Sequence, residues 1–218
     1  MKKEIVLVSW PVPTSVYHFT RVEHLPTIVD QGLLCDKQAQ SDGVLAIEVG
    51  HQDIKAARRT RVVPVGPGGV VADYVPFYFA PQSPMLYSIS KGNVPTYSDG
   101  TGRLVFLVSS VERLAEHGLQ IVISDRNARN LVTKFACLGD PALDGDFVDW
   151  ELMRAQYWGD YVDGRERRMA ECLVHGAVPW SAFETVGARS KTVLDEVRAI
   201  VGWDQRAPQV VMRPRWYF

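Results

Sequence analysis

The sequence predicts an α+β fold in a single domain spanning residues 1–218, and three observations carry that expectation. Short runs rich in β-branched and aromatic residues, such as VYHFT at 16–20, VPFYF at 75–79, LVFLVS at 104–109 and QIVIS at 120–124, have the length and content of strands. Other segments place apolar residues three or four apart, the spacing of a helix with one buried face. The two kinds of run are interleaved without an internal repeat, a low-complexity tract or an obvious linker, so one packed domain is the economical reading.

The elements follow in order. MKKEIVLVSWPVP has a basic tip and a short apolar run, Ile5–Val8, read as a strand or an ordered arm. It lacks the longer apolar region and small-residue cleavage site of a secretory signal. VYHFT is a buried strand. Val22, Leu25, Ile28 and Val29 predict a helix over 22–31 with Gly32 as its cap, and Leu33-Leu34 then leads into a loop. Residues 36–46 are polar and without period. HQDIKAARRTR at 51–61 reads as a strongly basic helix that PVGPGG stops. After the strand at 75–79, Pro81–Pro84 form a turn and Met85–Ile89 a short helix. The strand at 104–109, a helix over 111–117 and the strand at 120–124 come next. Residues 125–148 read as irregular, 150–158 as a helix, 168–174 as a strand and 178–186 as another short apolar segment. Val193, Leu194, Val197 and Ile200 mark a helix over 191–201, and a strand at 210–212 precedes RPRWYF.

Composition narrows the function. Apolar residues make up 46% and charged residues 22%, ordinary values for a globular domain, and the net charge of −1 gives no global attraction for nucleic acid. Binding to DNA or RNA would have to come from local patches. The three cysteines, Cys35, Cys137 and Cys172, are far apart and form no CxxC pair, so neither a metal site nor a disulfide framework is expected and a reducing cytoplasm fits best. No apolar segment approaches the roughly 20 residues of a membrane span, so no membrane association is expected. HExxH, P-loop, GxGxxG and GxSxG motifs are absent, which removes the commonest hydrolase and nucleotide-binding chemistries.

Four features remain. His18 lies in a strand between Tyr17 and Phe19, where it is either a hydrogen-bonded structural histidine or a ligand contact. The basic helix carries Lys55, Arg58, Arg59 and Arg61, and either forms a solvated face or contacts phosphate, whose oxygens match the guanidinium fork. PFYFAPQSPMLY at 76–87 joins aromatic residues and Met85 to three prolines; it is either core or a fixed loop that stacks on a planar base. Glu171 stands at the edge of an apolar run. It either pairs with a neighbour such as Arg167 or Arg168, or waits for a cationic ligand, because a carboxylate near apolar surroundings needs a compensating charge.

These stretches resemble the DarT family of DNA ADP-ribosyltransferase toxins. The resemblance runs through VYHFTRVEHLPTIVDQGLL at 16–34, the arginine helix and PGGVVADYVPFYFAPQSPMLY at 67–87. It continues through SDRNA at 124–128, DWELMRAQYW at 149–158, RRMAECLVHGAVPW at 167–180 and the ending RWYF. It implies an ADP-ribosyltransferase fold of the poly(ADP-ribose) polymerase type, with central mixed or antiparallel sheets and peripheral helices. It also implies NAD as donor, a base of single-stranded DNA as acceptor, and a DarG-type macrodomain antitoxin as partner. By the same resemblance, His18 and Thr20 hold the donor and Arg58 contacts its phosphates and aids the acceptor, while Glu171 is catalytic. Tyr78 and Tyr87 line or stack on the nicotinamide site, and Lys55, Arg59, Arg61 and Met85 meet DNA. The family often has Arg where this chain has Gln82, and the loop from Asp140 to Phe147 falls in a region that helps choose the acceptor. One branch modifies thymidine and another guanosine; thymidine is the expectation here. In this reading the charge that compensates Glu171 is the cationic ribose formed as NAD is cleaved.

Overall fold

A computed structural model describes residues 10–44, 49, 52–95, 97–202 and 207–218. The expected Ile5–Val8 strand and His51 lie outside the described residues. In chain order the elements are β1 (Ser15–Arg21), α1 (Leu25–Gln31), β2 (Leu33–Leu34), α2 (Asp36–Ser41), α3 (Gln52–Thr60), β3 (Tyr74–Tyr78) and α4 (Pro84–Ser90). They continue with β4 (Leu104–Ser110), α5 (Val111–Glu116), β5 (Ile121–Ser124), β6 (Phe135–Cys137), α6 (Trp150–Arg154) and α7 (Gly164–Arg167). The last are β7 (Glu171–His175), β8 (Ala177–Val178), β9 (Thr185–Ala188), α8 (Lys191–Val201) and β10 (Gln209–Met212).

An eight-stranded sheet runs β10-β9-β4-β1-β3-β7-β5-β6, and β2 pairs β8 beside it. Every pairing is antiparallel except β10 with β9, so the sheet is mixed, as expected. Its halves are unequally joined. β1 is in register with β4 from Ser15 opposite Ser110 to Arg21 opposite Leu104, and β3 with β7 from Tyr74 opposite His175 to Tyr78 opposite Glu171. β1 and β3 meet only at Tyr17 opposite Tyr78. The sheet therefore splits down its middle, and the gap between β1 and β3 is where the site lies.

Among the described residues three apolar clusters pack on the sheet, the smallest formed by Val63, Val71, Tyr74, Val122, Ala128 and Leu173, and two are larger. Val16, Leu25, Phe77, Leu107 and Val174 belong to one, with α1 and α8 packed over it; Leu86, Leu104, Phe106 and Tyr217 form the other. The C-terminal residues are part of this second core. The Tyr217 hydroxyl donates to the carbonyls of Leu104 and Gly187, each at 3.0 Å, and Gln82 Nε2 donates to the Tyr217 carbonyl at 3.2 Å. Gln82 is thus an amide that ties the loop before α4 to the chain end. A Cβ at Gly187 would sit 2.4 Å from the Trp216 ring. Gly187→Ala should push that ring off β9, cost about 1–3 kcal/mol as overpacking, and lower the melting temperature in a thermal scan; an unchanged melting temperature would show that the ring is free to move.

Four boundaries differ from the sequence expectation. Residues 36–41 form a helix that buries only Ala39, too little apolar surface to leave a period. Phe135–Cys137 is a strand, short enough to be fixed only by its partner β5. The helix expected over 150–158 stops at Arg154, because the Arg168 guanidinium takes the carbonyl of Ala155 at 2.9 Å and that of Leu152. The strand expected from Arg168 starts at Glu171: Gly164–Arg167 is helical, behind Asp163 in the left-handed region at φ 53°.

Candidate active site

The gap between β1 and β3 opens into a cleft. His18 and Thr20 face it from β1, Tyr78 from β3, Lys55 and Arg58 from α3, and Met85 from α4. Local sequence explains the placements. Ser83 caps α4 by accepting from the Leu86 N–H at 3.2 Å, and Pro84 opens the helix, so Met85 sits in the first turn. Lys55 and Arg58 are three apart and share a helical face; Arg59 and Arg61 do not line the cleft.

His18 answers the splitting of the sheet. Where β1 no longer pairs β3, its Nδ1 lies 2.8 Å from the Pro76 carbonyl. A carbonyl only accepts, so Nδ1 carries the proton, and in the neutral ring Nε2 is an acceptor. Burial, with the charges of His24 and Arg58, lowers the His18 pKa to about 4 despite the Pro76 contact. At neutral pH the ring is uncharged and can accept from a hydroxyl. Thr20 is partnered by His24, its Oγ1 2.9 Å from Nδ1. Tyr78 packs on Phe19 with centroids 6.3 Å apart, and burial followed by the Glu171 charge raises its pKa well above the ordinary value, which keeps the phenol protonated.

Tyr78, Glu171 and Ser124 stand in one row across β3, β7 and β5, so they share a face of the sheet. Glu171 is 1% exposed and lies behind the cleft wall. Arg58 Nη1 donates to both of its oxygens, at 3.1 and 2.9 Å, and the Ala128 N–H donates to Oε1 at 2.9 Å. This corrects one expectation and extends another. Neither Arg167 nor Arg168 pairs with Glu171: Arg167 is engaged by Asp149 at 2.6 Å, and Arg168 is spent on backbone carbonyls. The charge beside the carboxylate is the Arg58 guanidinium, so the Glu171 carboxylate has a protein partner as well as the expected ribosyl cation. The same guanidinium has one buried nitrogen, Nη2, with no hydrogen-bond partner among the described residues. A site that holds a half-satisfied guanidinium and an accepting imidazole fits a ligand carrying both phosphate and hydroxyl groups.

Other expected residues fall elsewhere. Tyr87 is not at the cleft: it packs edge-on against Phe218 and Trp158, with centroids 5.1 and 6.0 Å away, because it lies on the outer side of α4. Arg59 hydrogen-bonds Gln40 and lies 3.9 Å from Asp36, while Lys55 pairs with Asp36, so both tie α3 to α2. Arg61 donates to the carbonyls of Leu131 and Thr133 at 3.2 and 3.3 Å and lies over the Phe135 ring, which fixes the turn before β6. Sequence reasoning missed His24 and Asn127, both of which line the cleft. The signal for Asn127 was SDRNA at 124–128, to which no role was attached.

Comparison with known proteins places this geometry. The model of the family described as "DarT: ssDNA thymidine ADP-ribosyltransferase" matches residues 17–218. The chain is 36% identical to the DNA ADP-ribosyl transferase of Thermus sp. (strain 2.9) over 96% of this chain and 99% of that one. Solved structures of Thermus sp. 2.9 DarT superpose closely. The complex with ADP-ribosylated ssDNA gives a TM-score of 0.87 at 35% identity over 98% of this chain and 100% of that one. The complex with NAD+ gives 0.83 at 35% identity, over 96% and 100%. A DNA ADP-ribosyl transferase-DNA ADP-ribosyl glycohydrolase fusion protein of Thermosipho africanus (strain H17ap60334) is 20% identical over 93% of this chain and 49% of its own length.

Proposed function

The chain belongs to the DarT family, and on that premise we propose that it transfers ADP-ribose from NAD to a thymidine base of single-stranded DNA and releases nicotinamide. The observation that carries the reading is that Arg58, which lines a cleft also holding an accepting His18, is paired with the buried Glu171 directly behind the cleft wall. In the transfer the glycosidic bond to nicotinamide breaks and its electron pair leaves with nicotinamide. The base nitrogen gives up its proton to solvent, and its own pair forms the new bond to the anomeric carbon. Positive charge grows on that carbon in the transition state, and a fixed carboxylate lowers its energy.

The residues divide this work. His18 accepts from a ribose hydroxyl through Nε2 and holds the sugar in a reactive pose. Arg58 meets the donor's phosphates through the unpartnered Nη2. Its charge is then shared with them, which leaves more of the Glu171 carboxylate uncompensated for the cationic ribose. Strand mounting and the Ala128 N–H keep that carboxylate in place. Thr20 and Tyr78 are assigned to the donor side, and Lys55 and Met85, which also line the cleft, to DNA. As in the toxin–antitoxin systems of this family, the protein acts as a toxin in the cytoplasm and is countered by a DarG-type macrodomain antitoxin; the Thermosipho africanus fusion, which joins the two named activities in one chain, supports that pairing.

Labelled NAD incubated with single-stranded DNA, RNA and protein in parallel tests the reading, with nucleoside mass spectrometry to name the base. Label is expected on thymidine of DNA; label on RNA or protein but never on DNA would retire it. The pH profile gives a second check. Protonation of His18 turns Nε2 from acceptor to donor, so kcat/KM for NAD should lose its His18 contribution only as pH falls through about 4. An acid limb near 6.5, the ordinary histidine value, that disappears in His18→Gln would contradict the assigned environment.

A further inference from the structure

We infer that Asn127 is a specificity-determining residue whose side-chain amide donates a hydrogen bond to a ring carbonyl of the acceptor base, beside the nitrogen that is modified. Asn127 is 5% exposed and lines the cleft. Its backbone is pinned on both sides: the N–H donates to the Glu166 carbonyl at 3.1 Å, and its carbonyl accepts from Thr133 Oγ1 at 2.7 Å. Its side-chain oxygen accepts from the Arg129 N–H at 3.2 Å, which fixes which end of the amide is oxygen. The amide nitrogen is left with a single acceptor among the described residues, the Met169 thioether at 3.4 Å, and Met169 lines the cleft too. Sulfur is a weak acceptor, so a buried two-hydrogen donor is held rigidly and served poorly.

Its position says which substrate it serves. β5, which leads into Asn127, lies beyond β7 in the sheet, whereas His18 is on β1. The next residue, Ala128, holds Glu171 Oε1 through its N–H. A donor ribose held between His18 and Glu171 therefore leaves Asn127 on the far side of the carboxylate from His18, the side we assign to the acceptor. Thymine carries a carbonyl on each side of its N3, and negative charge moves onto those oxygens as N3 loses its proton, so an N–H placed there strengthens its bond in the transition state. Cytosine presents an amino group at one of these positions, where it would face the amide donor to donor.

The inference rests on the thymidine reading above, and the test separates the two. Oligonucleotides carrying one acceptor, thymine, 2-thiothymine or 4-thiothymine, are assayed with wild type and Asn127→Ala. A thione accepts hydrogen bonds poorly, and any change in ring acidity appears in both backgrounds and cancels in the cycle. Asn127→Ala should lose about 10–100-fold in kcat/KM on thymine, and for one of the two thio positions the wild-type penalty should shrink at least tenfold in the variant. Asn127→Asp keeps the oxygen that caps Arg129 and replaces only the donor, so it should lose at least as much as Asn127→Ala. Additive losses, full activity in Asn127→Asp, or a tenfold fall in NAD affinity in Asn127→Ala would each overturn the assignment. A wild-type protein that labels no thymine overturns the underlying reading instead, and this one with it.

Discussion

Replacing Glu171 by Gln is expected to reduce ADP-ribose transfer by about 10²–10³-fold, the range seen when one preorganised electrostatic group is removed from an active site. Gln keeps the shape and an oxygen for the Ala128 N–H, so the loss isolates the charge. The measurement is single-turnover transfer to a thymidine-containing oligonucleotide at saturating NAD, with a thermal scan alongside. The Arg58 side chain keeps 12% exposure, so its loss of a partner is eased by water and the variant should remain folded. A folded Glu171→Gln protein with wild-type transfer rates would remove the catalytic role from this carboxylate.

Arg58→Met is expected to be the more damaging change to stability. It strips the guanidinium from a carboxylate that is 1% exposed and leaves that charge with only one backbone donor at its oxygens. Breaking a buried pair from one side costs about 3–5 kcal/mol, and at this chain length that is a fall in melting temperature on the order of 10 °C. Transfer should fall too, since the proposed phosphate contact of Arg58 is removed. The double variant Arg58→Met with Glu171→Gln removes both charges and should recover most of the stability and none of the activity. If the double variant melts as low as Arg58→Met alone, the uncompensated carboxylate is not the cause. The two residues are 113 positions apart, and nothing local in the sequence joins them.

That separation marks the division between what the sequence revealed and what it hid. Lys191–Val201 was legible to the residue because its apolar spacing is also its buried face, Val193, Leu194 and Val197. The strands of the sheet centre were legible within a residue or two, since their side chains are buried over most of their length. The failures lie where a distant side chain sets a boundary. Arg168 ends α6 by taking its last carbonyls, and the same engagement removes it from β7. For the site, His18, Arg58 and Glu171 were each visible with a bland alternative beside them, and only the family resemblance favoured the functional one. Tyr87 and Arg61 lie apart from the cleft, one packed on the chain end and the other bonded to a turn, which the resemblance alone did not reveal. Asn127 went unread because an irregular stretch gives no period, and its value lies in which of its hydrogen-bonding groups are already taken.

The single bridge between Tyr17 and Tyr78 has a wider meaning for this molecule. A sheet usually has its unsatisfied backbone at its two rims, where pairing with another chain is a hazard. Here two inner strands part company instead, and residues of both, His18 and Thr20 on one side and Pro76 and Tyr78 on the other, line the cleft. The interior seam thus serves as the floor of a binding cleft, so one interruption of the sheet both divides the protein into two halves and places residues of each beside the same ligand.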